Sequence, residues 1–293
     1  MKHRLSLTMP RNLLEAAERP GRESWLCTLP GAVRQLEERW SVTAGEPFQP
    51  EGQTAWVAPA RGPGGADLVV KVAWRHPESL HEAEGLRAWN GDGAVRLHAV
   101  EELTEATALL LERCRPGTAL AALPEPEQDV VIAGLLRRLW RELPPDHRFR
   151  SLRLMCDQWA AEFEERLAAG GAALDPGLAR AGIGLFRELP AGADREVLLG
   201  TDVHAANVLA AEREPWLVID PKPYVGDPTY DALQHLLNCQ ARLAADPRRL
   251  VARIAGLLGL DPERLVLWLF ARCVQESPGC PELGDVARRI APR

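Results

Sequence analysis

The chain has 293 residues, of which 46% are hydrophobic and 26% charged, and its 35 basic and 41 acidic side chains give a formal net charge of −6 at pH 7. This composition excludes disordered, collagen-like and low-complexity proteins and allows a sizeable core. The acidic balance argues against a general nucleic-acid binder, which needs a basic surface to attract phosphates, and it weakly favours cationic small molecules as ligands. The length predicts about two domains or one large bilobal unit.

The cysteine pattern predicts a reduced, cytoplasmic protein. Six cysteines are scattered along the chain without a CxxC pair or the spacing of a zinc site. Residues 1–10 lack the apolar core of a secretory signal peptide, and apolar runs such as 265–271 are too short to cross a bilayer. No membrane partner is therefore expected.

The first third of the chain predicts a small α+β lobe. Four β-rich runs predict strands, namely residues 54–58, 68–74, 94–98 and 107–113. The sequence RGPGG at 61–65 predicts a turn between the first two strands. Residues 77–89 predict a helix, with proline in its first turn and Asn-Gly after its last residue.

The remaining two thirds predict a mostly helical lobe that contains one different segment. Residues 151–169 have apolar side chains at helical spacing. Further on, two apolar strand-like runs occur at 196–199 and 215–219, with a short hairpin predicted around 212–214. Both runs end in turns that carry acidic residues, so we expect the chemistry there.

Three polar residues in that segment have the spacing of a kinase catalytic loop. Asp202 and Asn207 are five residues apart, and Asp220 ends the next predicted strand. Asp202 can direct its carboxylate at an acceptor hydroxyl, while Asn207 and Asp220 supply the oxygen ligands that Mg²⁺ prefers. The alternative is a polar turn between buried strands, whose side chains bond to nearby backbone.

A lysine inside an apolar strand suggests a nucleotide site in the small lobe. An unpaired Lys71 would be costly there, and a nucleotide phosphate together with a helix carboxylate would satisfy it. Glu82 is the better partner by position, with Glu84 as the alternative. An edge-strand lysine with its ammonium group in water is the other reading.

Two backbone segments complete the predicted nucleotide site. The loop before the first strand places Gly52 and Gln53 where their N–H groups would cover phosphates, although a plain hairpin turn fits equally well. The connector after residue 111 would offer the carbonyl of Glu112 and the N–H of Cys114 to an adenine edge. An ordinary interdomain linker is the alternative.

The motifs resemble those of the aminoglycoside phosphotransferase superfamily. The strings that carry the likeness are GTDVHAANVL at 200–209, IDPKPYVGDPTYDALQ at 219–234, QHLLNC at 234–239 and ARCVQES at 271–277. They are similar to the branch of streptomycin 6-phosphotransferases and hydroxyurea phosphotransferases. The superfamily's more usual His-Gly-Asp stands here as Gly200-Thr201-Asp202.

The resemblance implies an α+β, bilobal protein-kinase-like fold with a small β-rich N-terminal lobe and a larger, mostly helical C-terminal lobe. Residues 1–113 would form the nucleotide-binding lobe, and 114–293 the lobe that holds the catalytic and acceptor-binding residues. Asp202 would be the catalytic base, and Lys71 would clamp phosphates beside Glu82. ATP and Mg²⁺ would be the cofactors, and Asn207 and Asp220 would hold the Mg²⁺.

The implied substrate is a small cationic antibiotic, with streptomycin, phosphorylated at the 6-hydroxyl of its streptidine ring, as the first choice. The two guanidinium groups of that ring would require carboxylates, for which Asp231 and Glu276 are the candidates. Another small acceptor, such as hydroxyurea or a sugar-like metabolite, and a non-catalytic pseudokinase remain alternatives. We expect His204 to be structural, Asp227 to cap a helix, and Lys222 to touch phosphate or to neutralise the acidic cluster.

Overall fold

The computed structural model describes residues 7–17, 22–49, 52–169 and 174–292. By its internal contacts the chain divides into two compact units. The first ends at Gly117 and also includes Ala211–Pro215, and the second comprises Thr118–Ala210 and Trp216–Arg293. The predicted boundary between residues 113 and 114 therefore falls inside the first unit, and the return of a later segment to this unit was not predicted.

Over its described residues, the first unit is a five-stranded antiparallel sheet with three α-helices. Its elements are α1 (Arg11–Ala17), α2 (Glu23–Trp40), β1 (Thr43–Ala44), β2 (Ala55–Arg61), β3 (Asp67–Trp74), α3 (Glu82–Trp89), β4 (Leu97–Glu102) and β5 (Ala106–Glu112). The strand order is β1-β2-β3-β5-β4. The predicted turn joins β2 to β3, with Gly64 and Gly65 in the left-handed region at φ 67° and 82°. The α+β prediction for this part of the chain is confirmed.

Helix α2 was not predicted from the sequence. It buries Trp25, Leu29, Val33 and Leu36, whose spacing of four, four and three residues is that of one helical face. Pro30 in its interior hides this pattern, because proline normally ends a helix. The buried face packs into one core with the sheet residues Trp56, Ala58, Val70, Val72 and Ala108.

Two predicted elements are shifted. The strand expected at 94–98 begins at Leu97 and extends to Glu102. The helix expected over 77–89 is a single 3₁₀ turn at Pro77–Ser79 followed by α3, which ends where Asn90 adopts φ 49°. A left-handed residue at this position is a common helix terminator.

The second unit is mostly helical, with two small β-ladders. Its elements are α4 (Glu125–Leu139), α5 (Leu152–Ala168), α6 (Pro176–Glu188), β6 (Val197–Leu199), β7 (Val208–Ala210), β8 (Trp216–Val218), β9 (Tyr224–Gly226), α7 (Pro228–Asp231), α8 (Leu233–Asn238), α9 (Gln240–Ala245), α10 (Pro247–Leu258), α11 (Pro262–Glu276) and α12 (Pro281–Ile290). Helix α5 confirms the prediction for 151–169, and the side chain of Ser151 accepts the N–H of Leu154 as its N-cap. None of the described helices has the length and apolar character needed to span a membrane.

The two predicted strand-like runs of this unit do not pair with each other. The two predicted runs form β6 and β8, but β6 pairs with β9 and β8 pairs with β7. The hairpin around 212–214 is thus the turn between β7 and β8. The strands β7 and β9 have three residues each, which is too short for a recognisable alternating pattern.

Helix α11 lies at the centre of the helical core. Trp268 and Phe270 are fully buried, and the rings of Phe186 and Tyr230 contact the Trp268 ring edge-on. A Cβ at Gly182 would lie 2.6 Å from the Val274 side chain, so glycine allows α6 to approach α11 closely.

Candidate active site

The segment that carries Asp202 begins directly after β6 and is cross-linked to the segment after β8. The carbonyl oxygen of Gly200 accepts the N–H of Asp202 at 2.7 Å and that of Lys222 at 2.9 Å. The hydroxyl of Thr201 donates to the carbonyl oxygen of Lys222 at 2.5 Å. A Cβ at Gly200 would lie 2.5 Å from the Val203 side chain, so the turn requires glycine at that position. These bonds fix the two acidic turns of the second unit against each other.

Asp231 holds the backbone of this loop from within the core. Its Oδ1 accepts the N–H of Thr201 at 2.6 Å, and its Oδ2 accepts the N–H of Gly200 at 3.1 Å and the indole N–H of Trp140 at 3.0 Å. Burial raises the pKa of Asp231 to about 6, although these three hydrogen bonds oppose the increase. The side chain is fully buried. These contacts make Asp231 a positioning residue for the loop, and its predicted contact with the acceptor stays a prediction.

The Asp202 carboxylate has a different environment on each oxygen. Its Oδ2 lies 2.7 Å from Nζ of Lys222 and 3.4 Å from Nδ2 of Asn207. Its Oδ1 lies 3.8 Å from Nε2 of His204, beyond hydrogen-bonding distance. The side chain is 14% exposed, so the carboxylate is partly accessible.

The amide of Asn207 is oriented by two contacts with Asp202. Its Nδ2 donates to the Asp202 carbonyl oxygen at 3.1 Å as well as to the carboxylate, which directs the amide oxygen away from Asp202. The carbonyl oxygen of Asn207 accepts the N–H of Ile219 at 2.9 Å, so its backbone is tied to the residue before Asp220. Asp220 itself has φ 50°, a left-handed conformation that reverses the chain after β8. An amide oxygen and a carboxylate form a donor set that fits a hard divalent cation.

We expected His204 to have a structural role, and its environment in the structure is largely buried. Burial lowers the pKa of His204 below its ordinary value, while the nearby Asp202 carboxylate opposes this change. Its Nδ1 is buried and has no hydrogen-bond partner among the described residues. These features favour the neutral imidazole.

The first unit contains a buried ion pair. Lys71, on β3, lies 2.7 Å from both carboxylate oxygens of Glu82, which begins α3. Both residues are buried, with exposed fractions of 6% and 4%. Glu84 is half-exposed and lies 3.9 Å from Arg87. Of the two candidate partners of Lys71, the structure thus shows Glu82 and not Glu84 in contact with its ammonium group.

The predicted phosphate loop is only partly described. Its first two residues, 50 and 51, lie outside the described residues. The carbonyl oxygen of Gln53 accepts a hydrogen bond from Arg22 at 3.1 Å, and a Cβ at Gly52 would meet nothing within 4 Å among the described atoms. The role of Gly52 and Gln53 in binding phosphates stays a prediction.

The connector after β5 is fixed by Arg213, which sequence analysis did not single out. Its guanidinium donates to both carboxylate oxygens of Glu112 at 2.8 and 2.9 Å and to the carbonyl oxygens of Gly91 and Ala94. Burial by itself would raise the pKa of Glu112, but hydrogen bonds from Arg213 and from a backbone N–H lower it below its ordinary value. Cys114 is buried, which raises the pKa of its thiol to about 12.

Two further predicted residues lie near α11. Glu276 is bound at 2.9 Å by Arg272, whose guanidinium lies 4.5 Å from the centre of the Trp159 ring. Its carboxylate is thus paired with an arginine of the same helix, and its predicted binding of a substrate guanidinium stays a prediction. Asp227 caps α7 by accepting the N–H of Thr229 at 2.8 Å, as predicted.

Comparison with known proteins identifies the family. A family model described as aminoglycoside/hydroxyurea antibiotic resistance kinase matches residues 39–279. The chain belongs to this kinase family.

The relatives of this chain include proteins named for two different acceptors, streptomycin and hydroxyurea. A streptomycin 6-kinase of Streptomyces glaucescens is 34% identical over 275 residues, covering 90% of this chain and 87% of the relative. A hydroxyurea phosphotransferase of Kitasatospora aureofaciens is 36% identical over 270 residues, covering 88% and 75%. The predicted family resemblance is confirmed, and both branch names are represented among the relatives.

Solved structures agree on the fold. An aminoglycoside phosphotransferase from Streptomyces rimosus, solved with ADP and streptomycin, matches with a TM-score of 0.54 at 15% identity, covering 86% of this chain and 98% of that one. The choline kinase LicA from Streptococcus pneumoniae matches with a TM-score of 0.56 at 12% identity, covering 89% and 97%. The predicted kinase-like α+β fold is confirmed.

Proposed function

We propose that this kinase transfers the γ-phosphoryl group of ATP to a hydroxyl of a small antibiotic, with the streptidine 6-hydroxyl of streptomycin as the acceptor. The observation that carries the proposal is the arrangement around Asp202. One carboxylate oxygen is held by a cation and an amide, while the other makes no hydrogen bond within the described ranges. An oxygen in that state is suited to receive the proton of an attacking hydroxyl.

The first unit supports nucleotide binding through its buried ion pair. The Lys71 ammonium group is held by Glu82, so its position is fixed before any ligand arrives. A fixed ammonium group in an apolar strand can bind phosphate oxygens without the entropic cost of ordering a long side chain. We assign Lys71 to the phosphates of ATP and Glu82 to its orientation.

The second unit supports a magnesium site. Asn207 and Asp220 would hold Mg²⁺, since the amide oxygen of Asn207 is directed away from Asp202 and Asp220 follows directly in the adjoining turn. When bound, the ion would neutralise phosphate charge. Asp202 then orients the acceptor hydroxyl and takes its proton, while Asp231 and Trp140 keep the loop in place from the core.

Streptomycin is favoured as the acceptor by the relatives named streptomycin 6-kinase, which cover most of this chain. Hydroxyurea is the second candidate because a relative with that activity in its name is equally similar. Fold alone does not separate these acceptors.

The experiment is to incubate the purified protein with ATP and Mg²⁺ and with streptomycin or hydroxyurea in parallel. Mass spectrometry should show one added phosphate on streptomycin, and phosphorus-coupled NMR should place it on the 6-hydroxyl. Phosphorylation of hydroxyurea alone would replace the acceptor but keep the enzyme class. Binding of ATP without transfer to either acceptor, or to a panel of aminoglycosides, would favour a pseudokinase.

A further inference from the structure

We propose that Lys222 is a catalytic cation that contacts the transferred phosphoryl group while it holds Oδ2 of Asp202. This inference rests on the proposed function and deepens it, because it names the residue that supplies a positive charge between the base and the phosphoryl group. The starting observation is the 2.7 Å distance between Nζ of Lys222 and Oδ2 of Asp202.

The backbone of Lys222 is fixed unusually well for a residue in a turn. Its N–H donates to the carbonyl oxygen of Gly200, and its carbonyl oxygen accepts the Thr201 hydroxyl. Prolines precede and follow it, so the backbone on both sides is restricted. Lys222 is therefore tied to the two residues before Asp202, and its side chain starts from a defined point next to the base.

The side chain is also accessible. It is 31% exposed, in contrast with the 7% of Lys71. An ammonium group has three N–H donors and can bind Asp202 and a phosphoryl oxygen at the same time. A lysine that served only to neutralise Asp202 could do so equally well when buried.

The reaction requires a cation at this point. The acceptor oxygen forms a bond to the γ-phosphorus as the bond from that phosphorus to the β–γ bridging oxygen breaks, and the acceptor proton moves to Oδ1 of Asp202 as ADP leaves. The carboxylate of Asp202 must therefore approach a negatively charged phosphoryl group, which it repels. Lys222, positioned on Oδ2, offsets this repulsion and leaves Oδ1 for the proton.

The use of lysine along the chain agrees with a special role. Lysine occurs only at positions 2, 71 and 222, whereas arginine supplies the other 32 basic residues. Both lysines in the described part of the chain pair with a carboxylate of the candidate site, at 2.7 Å in each case. A compact ammonium group on a flexible chain can follow a phosphoryl group in transit better than a planar guanidinium can.

The first test labels lysines that lie near the γ-phosphate. In an ATP analogue acylated on that phosphate, a lysine amine attacks the acyl carbon, the bond from that carbon to the phosphate oxygen breaks, and ATP leaves as an amide forms with loss of one proton. Peptide mapping of the labelled wild-type protein by mass spectrometry should show acylation of both Lys71 and Lys222. Excess ATP should suppress the acylation at both lysines. Acylation at position 2 that ATP does not suppress measures the nonspecific background.

The outcomes separate the two proposals. ATP-sensitive acylation of Lys71 without Lys222 would overturn the role of Lys222 and leave the proposed function standing. No ATP-sensitive acylation at either lysine would overturn both.

The second test measures affinity for a mimic of the transferred group. In Lys222→Met we expect kcat to fall by at least about 100-fold, as for loss of one donor to a developing charge, with only a small change in the KM for ATP. ADP should bind as tightly as to the wild type, but the gain in affinity on adding Mg²⁺ and aluminium fluoride should be lost. Lys222→Arg should recover part of both properties.

Asp202→Asn is the matched control, because it removes the carboxylate charge and keeps the lysine. It should be inactive and yet retain the gain in affinity with aluminium fluoride. If Lys222→Met also retained that gain, Lys222 would serve only to hold Asp202, and the proposal would be wrong.

Discussion

The N–H of Thr201 donates to Oδ1 of Asp231 at 2.6 Å, across 30 residues of sequence. Thr201 has φ 47°, a left-handed conformation that costs a β-branched residue on the order of 1–2 kcal/mol. A charge-assisted hydrogen bond to a buried carboxylate is of comparable size and offsets that cost. The backbone direction immediately before Asp202 therefore depends on a residue that is fully buried in the core.

This relationship predicts a pH dependence of activity. Ionised Asp231 accepts both loop N–H groups, and a protonated carboxyl would hold them less well. Because the pKa of Asp231 is about 6, we expect kcat to fall as the pH drops through 6. Asp231→Asn should have a kcat lower by at least about tenfold and should lose this acidic limb. A limb that persists unchanged in Asp231→Asn would assign it to another group.

The same pKa has the opposite effect on stability. Because it is raised above the ordinary 3.8, the folded protein holds this proton more tightly than the unfolded chain. The contribution of Asp231 to the free energy of unfolding is greatest below pH 4 and decreases by on the order of 3 kcal/mol as the pH rises to 6. Urea unfolding of the wild type and Asp231→Asn at pH 4.5 and pH 7 measures this slope, which the variant should lack.

Removal of the proposed base should separate chemistry from binding. Asp202→Ala should abolish detectable transfer, since about 100-fold or more of the rate depends on proton transfer to a positioned group, while ADP affinity measured by calorimetry stays close to that of the wild type. Glu164→Gln, which changes an exposed pair with Arg187, is the control and should leave kcat unaffected. Transfer at the wild-type rate in Asp202→Ala would rule out its role as the base.

Asp220→Ala should change the dependence on Mg²⁺. Loss of one of two proposed protein ligands should raise the Mg²⁺ concentration needed for half-maximal ATP binding by tenfold or more, because the carboxylate carries the ligand charge. A titration of nucleotide binding with Mg²⁺ at constant ATP checks this. An unchanged midpoint would remove Asp220 from the metal site.

Two neighbouring glutamates on α3 provide a matched pair. Glu82→Gln leaves buried Lys71 without its counter-charge, so we expect weaker ATP binding, with KM rising at least about tenfold, and a loss of stability of about 3–5 kcal/mol. Glu84→Gln removes only an exposed ion pair with Arg87, whose charged atoms lie 3.9 Å apart, and should have little effect on KM or on stability. Equal effects of the two variants on KM would contradict the role of Glu82.

The stability contributed by a buried helix cap can be compared with that of an exposed one at Asp227 and Asp246. Asp227 caps α7 and also accepts hydrogen bonds from Arg264 at 2.8 Å and from the Trp268 indole at 2.7 Å. Asp227→Ala should therefore lower the free energy of unfolding by about 3–5 kcal/mol, since it leaves the buried indole N–H of Trp268 without its acceptor and the partly buried Arg264 without its counter-charge. Asp246→Ala removes only the cap of α10 and should cost about 1 kcal/mol. Chemical unfolding followed by tryptophan fluorescence compares them.

Strands β2, β3 and β5 were predictable because each has its own local pattern, whereas β1 was not predicted and β4 begins three residues later than expected. β2 and β3 are continuous apolar runs joined by a glycine-rich turn, and their pairing follows from that turn. Helix α2 was missed although its buried face has clear helical spacing, because Pro30 in its interior suggests a break. Packing of that face against the sheet outweighs the cost of proline within the helix.

The family, the kinase-like fold and the order of the acidic and amide residues in the loop could be predicted from the amino-acid sequence, because they depend on residue types at fixed spacing within short segments. The packing of the folded chain set which groups lie against these residues. It brought Lys222 to Asp202, Arg213 to Glu112, and Asp231 into the core beneath the loop. Each of these contacts joins residues at least 20 positions apart, and no local pattern encodes which distant carboxylate a cation or a backbone N–H will find. That choice follows from how the short strands β6 to β9 pair and from which side chains the surrounding helices bury.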